Sequence, residues 1–441
     1  MTVKLQLALD HENLERALTV AREAVRGGVD RLEAGTPLIK SEGLNSVRTL
    51  RREFPSATIV ADMKTADAGK LETECAARAG ADVIHVLAGA SDATISECVE
   101  SAKKYDARIV VDMLGMEDPE LMVKRALEVQ AIGVYAVCVH TPIDMQMQGA
   151  LPFENLKALS RAVKLPVAVA GGINTENAVK AVKAGAEIII VGGAITKSPD
   201  AEKAARTMRK VLASGRPEST EFYARTSGKD IKEVLLKASA ADITGAMHNS
   251  GAVEGISAIV PGARMAGPAL TVWTYPGDWS KPVEAIDEAR EGQVLVIDAG
   301  GRPPAVWGEM ATKSCIQRKI AGVVIDGAIR DVKNVREMGF PAFSRLITPV
   351  AGEPRGQGML DVPLKIGGCN VRSGDWIVGD DDGIVVIPAE KLVETANRAQ
   401  AVTEQESRQM AEIDAGSTLG KVAELKRWDH VRKGPGNGTS V

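Results

Sequence analysis

The chain has 441 residues, of which 45 % are hydrophobic and 25 % charged, and 54 Lys and Arg against 58 Asp and Glu leave a formal charge of −4. These values exclude a single small scaffold, a disordered chain and a polybasic nucleic-acid binder, and leave room for two or three domains with cores of their own. Aromatic residues make up only 3 %, too few for a base-stacking surface, so the cores are built from Ala, Val, Ile and Leu, as suits buried parallel sheets.

Five cysteines, Cys75, Cys98, Cys138, Cys315 and Cys369, stand far apart and never as CxxC. That pattern offers no disulfide framework and no zinc-ribbon spacing, and predicts a reducing, cytoplasmic setting. The opening MTVKLQLALDHE reaches Asp10 before a signal-peptide core forms, and no apolar run approaches the length that spans a bilayer. The expectation is a soluble, unprocessed protein with no membrane and no nucleic-acid partner.

From residue 3 to about 213, short apolar β-rich runs alternate with amphipathic stretches. The runs are Lys4–Asp10, Arg31–Ala34, Thr58–Met63, Val83–Leu87, Arg108–Met113, Val134–His140, Val167–Ala170 and Ile188–Val191. Between the first two, Leu14, Ala17, Leu18, Ala21 and Val25 recur at helical spacing, the mark of a helix with one face on a sheet. Eight βα units predict an α/β fold of the TIM (β/α)8 barrel type, with a doubly wound sheet as the alternative. Asp10, Glu33, Asp62, His140 and the pairs Gly171-Gly172 and Gly192-Gly193 all fall at strand ends, which in a barrel share one catalytic face.

The polar stretch Ala213–Ser219 reads as the start of a linker, and the organisation predicted is a barrel at 1–213, a linker at 214–229, a mixed α/β domain at 230–415 and a tail at 416–441. In the second half the predicted strands are Ala269–Thr274, Val294–Ile297, Val323–Ile325 and Ile384–Ile387. Helical periodicity runs from Ala389 to about Ala411, and the closing GPGNGTSV is expected to stay unordered.

In VADMKTAD, strand alternation places Asp62 and Lys64 on one side, with Asp67 in the loop beyond. Carboxylates around an amine keep it protonated, and a protonated Lys beside a reacting oxygen stabilises an enolate or relays a proton. Glu33 and Asp62 on neighbouring strands offer hard oxygen ligands for Mg²⁺, or else simply pair as strand-end charges. The two glycine pairs expose backbone N–H groups to a phosphate, and His140 is a candidate acid or base.

These residues carry a resemblance. LQLALD, EAGTPLI, ADMKTADAG, VVDMLG, CVH, AVAGGI and IIVGGAIT are similar to the 3-hexulose-6-phosphate synthases of the orotidine-monophosphate-decarboxylase superfamily, across residues 1 to about 212. The resemblance implies a Mg²⁺-dependent aldol reaction between ribulose 5-phosphate and formaldehyde. It further implies that Glu33 and Asp62 hold the metal, Lys64 stabilises the enediolate, His140 moves the C1 proton, Asp10 supports the Lys and Asp67 reaches across a dimer interface. The related 3-keto-L-gulonate-6-phosphate decarboxylases carry an Arg and a Thr where this chain has Ile143 and Ala170, which favours the synthase and leaves the decarboxylase as the alternative for the barrel. His85, where a small polar residue is usual, and Thr141-Pro142 depart from the pattern.

In the second half, Gly308, Glu309, Met310 and Ala311 open a helix whose free N–H groups suit a carboxylate or another anion. Arg330-Asp331 follows the apolar run GVVIDG, either a structural pair or a divalent-metal site that holds and polarises a 2-oxo acid. The acidic turn in GDWIVGDDDGIVVIP reads as solvated. No strand with a following GxGxG-like loop and acidic ribose anchor is present, so a methyltransferase reading finds no support.

GEMA, VVIDGAIRD and GDWIVGDDDGIVVIP resemble the family of 4-hydroxy-4-methyl-2-oxoglutarate aldolase and the ribonuclease regulator RraA, over about 230 to 410. That resemblance implies that Asp331 anchors Mg²⁺ or Mn²⁺, that Arg330 stabilises a pyruvate-like enolate and that the amides of residues 308 to 311 bind its carboxylate. Glu309 stands where Asp is usual. The alternative is a non-catalytic module that binds a partner such as a ribonuclease. Dimer-forming barrels fused to a trimer-forming domain imply a closed homo-oligomer, such as a hexamer.

Overall fold

The computed structural model describes residues 3–220 and 223–425. They divide into two compact units, one of the described residues within 3–146, 150–225 and 404–425, the other of 147–149 and 226–403. The predicted tail GPGNGTSV lies outside the described residues.

In the first unit, β1 (Lys4–Leu9), β2 (Arg31–Ala34), β3 (Thr58–Thr65), β4 (Val83–Leu87), β5 (Arg108–Asp112), β6 (Ala136–His140), β7 (Val167–Ala170) and β8 (Ile188–Val191) form a closed barrel in that order. All pairings are parallel, and β8 returns to β1. The predicted runs and the strands agree to within two residues at either end, and Ala34, Ala170 and Val191 are each followed directly by a glycine that ends the strand.

Side-chain alternation sorts each strand into two faces. Leu5, Leu7 and Leu9 pack outward against helices such as Leu14–Arg26, capped by Asn13, whose side chain accepts from the Arg16 amide. Ala8, Val60, Val83, Val110, Ala136, Cys138, Ala168, Ala170, Ile188 and Ile190 form a second, inner cluster that fills the barrel. The same inward parity carries Glu33, Asp62, His85, Asp112 and His140 toward the C-terminal ends of their strands.

The stretch expected to begin the linker does not hang free. Helix Ala201–Ser214 runs through its first residues to Gly215, and residue 218 is tied back by Thr175: the Glu218 amide donates to the Thr175 carbonyl at 3.2 Å and Thr175 Oγ1 to the Glu218 carbonyl at 2.8 Å. The first unit also takes in residues 404–415, expected in the second domain, and 416–425, expected as tail.

The second unit is built on a mixed sheet. Its strands are β9 (Ser257–Ala258), β10 (Met265–Trp273), β11 (Val294–Asp298), β12 (Gly322–Ile329), β13 (Ala342–Ile347), β14 (Met359–Leu360), β15 (Leu364–Ile366), β16 (Cys369–Val371), β17 (Trp376–Asp380) and β18 (Gly383–Ile387). The order is β18-β17-β10-β11-β12-β13-β9, with β14 beside β10 and a separate β15-β16 pair. β10 to β13 are parallel, and the flanking pairings are antiparallel. Leu295 and Ile297 pack into one core and Val294 and Val296 into another, so the central strands are buried on both faces. The acidic turn expected to be solvated is the two-residue corner of the β17-β18 hairpin. Asp381 and Asp382 are exposed as expected, Asp381 accepting from the Gly262 amide, whereas Asp380 is buried and accepts from the amides of Ala240 and Asp382.

Candidate active sites

At the mouth of the barrel Lys64 Nζ donates to Asp62 Oδ2 at 2.6 Å and lies 3.5 Å from Asp112 Oδ2. Alternation alone does not produce this pair. β3 bulges between Ala61 and Thr65, and Lys64 takes a left-handed φ of 49°, which turns its side chain back onto Asp62. Thr36 Oγ1 donates to the same Asp62 Oδ2 at 2.8 Å. Asp62 Oδ1 is buried with no hydrogen-bond partner. Burial works against charge on Lys64, but Asp62 and Asp112 outweigh it and hold its pKa above the ordinary lysine range.

Glu33, Asp62 and His85 form a buried group whose ligand atoms lie within 4.8 Å of one another. Gln6 Nε2 donates to Glu33 Oε2 at 2.5 Å. Burial, then the charges of Asp62 and Asp10, push the Glu33 carboxyl well above its usual range. Burial pushes the pKa of the His85 ring down, against the pull of Asp62 and Asp112. Asp10 directly follows β1 and packs against Gly35, where a Cβ would strike Asp10 Oδ1. Desolvation followed by repulsion from Asp62 raises its pKa. An unsatisfied buried oxygen and acids crowded by like charge both fit a bound divalent cation, and oxygen donors suit a hard one.

His140 Nδ1 lies 2.9 Å from Asp112 Oδ2. Asp112 is 1 % exposed; burial resists its ionisation, yet the bond and charge of His140, with Lys64 and His85, hold it at about 2. Gly171 and Gly172 both have left-handed φ, 94° and 72°, and a Cβ on Gly171 would strike the Thr141 carbonyl. Gly193 begins the turn Gly193–Thr196, and the Tyr223 ring lies over it. Asp67 is exposed and caps its own neighbour, Oδ1 accepting the Ala68 amide at 2.7 Å. Asp112, Thr36, Gln6 and Tyr223 escaped the sequence reading. The inward parity of Gln6 and Asp112 is legible in the strands; Tyr223 falls in the stretch read as linker, where no periodicity gives a signal.

In the second unit a cavity of about 600 Å³ is lined by Gly308, Glu309, Met310, Ala311, Arg330 and Asp331, with Trp279 and Val283 on its apolar side. Gly308 caps helix Glu309–Gln317. The Glu309 amide donates to Asp331 Oδ2 at 3.3 Å, and a Cβ on Gly308 would stand 2.6 Å from that oxygen. Arg330 Nε lies 3.1 Å from Asp331 Oδ1, and Asn334 Nδ2 donates to Glu309 Oε2 at 2.6 Å. All the residues singled out in this half therefore meet in one cavity.

Comparison with known proteins bears on both halves of the chain. Residues 3–208 match the family described as Orotidine 5'-phosphate decarboxylase / HUMPS. Over 214 residues the chain is 39 % identical to the 3-hexulose-6-phosphate synthase of Bacillus subtilis (strain 168), taking in 100 % of that protein and 48 % of this chain. The chain belongs to the orotidine 5'-phosphate decarboxylase / HUMPS family. By that membership it is an enzyme. The 3-hexulose-6-phosphate synthase of Mycobacterium gastri is likewise 39 % identical, over 211 residues and 100 % of its length. A crystal structure titled 3-hexulose-6-phosphate synthase is 39 % identical, covering 47 % of this chain and 98 % of that one, with a TM-score of 0.45. Fused to this HUMPS-family barrel, residues 240–386 match the RraA-like family, Aldolase/RraA. No helix among the described residues is long and apolar enough to cross a membrane.

Proposed function

We propose that the barrel is a divalent-metal-dependent aldol lyase that interconverts ribulose 5-phosphate plus formaldehyde with 3-hexulose 6-phosphate. The observation that carries this reading is the placement of Lys64, bonded to Asp62 and beside Asp112, against the buried Glu33–Asp62–His85 group. Glu33 and Asp62 would hold the cation, read from sequence as Mg²⁺, which supplies positive charge where the substrate oxygens become anionic. Asp112 anchors His140 through Nδ1, so Nε2 is the atom that takes the C1 proton of ribulose 5-phosphate. Lys64 donates to the enediolate oxygen, with Asp10 supporting its charge. The nucleophilic C1 then forms a bond to formaldehyde carbon, and the formaldehyde oxygen takes up a proton to give the new hydroxymethyl group. Amides at Gly171, Gly172, Gly192 and Gly193 bind the phosphate. Asp67 completes a neighbouring subunit's site in a homo-oligomer. The proton step is tested alone by following deuterium entry at C1 of ribulose 5-phosphate in D₂O without formaldehyde: exchange that needs a divalent ion and His140 is expected, and its absence from the metal-loaded protein contradicts the reading.

For the second unit we propose an aldolase or decarboxylase of 2-oxo acids. Asp331 would hold Mg²⁺ or Mn²⁺, Arg330 stabilises the enolate left when the carbon–carbon bond breaks, and the amides at Gly308, Glu309, Met310 and Ala311 bind the carboxylate. The support is their convergence on one cavity. A domain of this kind that only binds a partner protein would leave oxaloacetate untouched. The chain is proposed to work in the cytoplasm on small molecules, as an oligomer that combines barrel dimers and second-domain trimers.

A further inference from the structure

The donor set in the barrel contains a nitrogen as well as oxygens. His85 Nδ1 lies 3.6 Å from Asp62 Oδ1, too far for a hydrogen bond. Two donors that share one ion, each about 2.1 Å from it, stand about 3 to 4 Å apart. Asp62 is oriented for this: Lys64 and Thr36 both occupy Oδ2, leaving Oδ1 buried, unpartnered and toward His85. Asp62 and His85 are 4 % and 3 % exposed, so water does not satisfy either from bulk. Gln6 fixes the third group, Glu33, through Oε2. Three strands, β2, β3 and β4, thus each contribute one inward donor to the same buried point. His85 has no other partner in the reaction scheme above.

We propose that His85 is a third metal ligand beside Glu33 and Asp62, and that the barrel therefore takes a first-row transition ion such as Mn²⁺ or Co²⁺ in preference to Mg²⁺. Mg²⁺ favours an all-oxygen shell and is reluctant to exchange water for imidazole, whereas imidazole suits the later divalent ions. This inference rests on the proposed metal-dependent reading of the barrel, but it concerns binding rather than turnover.

The test uses the full-length protein in an Asp331→Ala background, so that the second cavity does not compete for metal. The chain is stripped with chelator and loaded with one equivalent of Mn²⁺, and pulsed electron paramagnetic resonance reads nitrogen coupling to the ion. A ¹⁴N coupling is expected that disappears in His85→Thr and in His85→Gln, with circular dichroism confirming that both variants fold. Competition titrations are expected to show Mn²⁺ affinity falling about 10-fold or more in both variants, while Mg²⁺ affinity changes less than about twofold. Absence of nitrogen coupling in the parent protein, or an unchanged ratio of Mn²⁺ to Mg²⁺ affinity in the variants, overturns the inference. A protein that shows the coupling yet consumes no ribulose 5-phosphate would sink the lyase reading and leave the ligand assignment standing. Turnover with Mg²⁺ and no coupling would do the reverse.

Discussion

Asp112 Oδ2 stands 2.9 Å from His140 Nδ1. A carboxylate accepts, so Nδ1 donates in that bond, and Nε2 is the ring nitrogen that Asp112 leaves open. The same oxygen lies 3.5 Å from Lys64 Nζ, which links the ring proposed to move the proton to the amine proposed to stabilise the oxyanion through one buried acid. Asp112→Asn offers the ring an amide in place of an anion. In the proposed lyase, kcat for C1 deuterium exchange is expected to fall by about 10²-fold or more, with KM for ribulose 5-phosphate moving less than threefold. A merely structural role would instead lower stability and leave the rate of the folded fraction intact.

His11 makes the stability of the first unit depend on pH. Burial, then the charges of Arg16 and Arg408, lower its pKa from 6.5 to about 4, and Nδ1 has no partner. The folded chain keeps this ring neutral while the unfolded chain protonates it near 6.5. The contribution is therefore complete above that value and is lost as pH falls toward 4. Between pH 7.5 and pH 5 the loss is about 2 kcal/mol. Urea melts at the two values are expected to show it in the parent chain and not in His11→Gln.

Arg225 and Glu404 form an ion pair with side chains only 3 % and 4 % exposed, and Glu404 also accepts the Tyr223 amide at 2.5 Å. Removing the acid leaves a guanidinium buried without its counter-charge. Glu404→Ala is expected to destabilise the first unit by about 3 kcal/mol. Because Tyr223 lies over Gly193 in the proposed phosphate loop, KM for ribulose 5-phosphate is expected to shift at temperatures where the variant is folded. An unchanged denaturation midpoint would contradict the burial argument.

In the second unit, Asp331 accepts the Glu309 amide and pairs with Arg330. In an Asp62→Ala background that silences the barrel, the chain is expected to release carbon dioxide from oxaloacetate with Mg²⁺ or Mn²⁺. Adding Asp331→Ala is expected to lower that rate by about 10²-fold or more. No release by the folded, metal-supplied protein would favour the partner-binding alternative.

The barrel was legible because its evidence is local: each strand is one short apolar run and each helix one amphipathic stripe, so eight repeats count themselves. The inward acids Glu33 and Asp62 were legible for the same reason, as polar residues at the ends of runs. Lys64 reached its partner through a bulge and a left-handed φ that no alternation rule anticipates. Asp112 sat in plain view two residues after inward-facing Val110, but an acid ending one apolar strand looks like any strand-end charge until His140 is brought beside it. Glu404 and Tyr223 meet across 181 residues of sequence, and nothing local to either encodes that contact. In the acidic run Asp381 and Asp382 are exposed, as expected of a solvated turn, and only Asp380 departs from that reading, because its carboxylate is buried on the Ala240 amide from a distant segment.

The central claim is that the barrel makes a carbon–carbon bond between formaldehyde and C1 of ribulose 5-phosphate. The most direct measurement is ¹³C NMR of the full-length, metal-loaded protein with ¹³C-formaldehyde and ribulose 5-phosphate, beside Lys64→Ala. A labelled hydroxymethyl carbon coupled to a new neighbour, formed by the parent and lost in the variant, is the predicted result. Unchanged ¹³C-formaldehyde with the folded, metal-loaded parent, or equal product from Lys64→Ala, would contradict it.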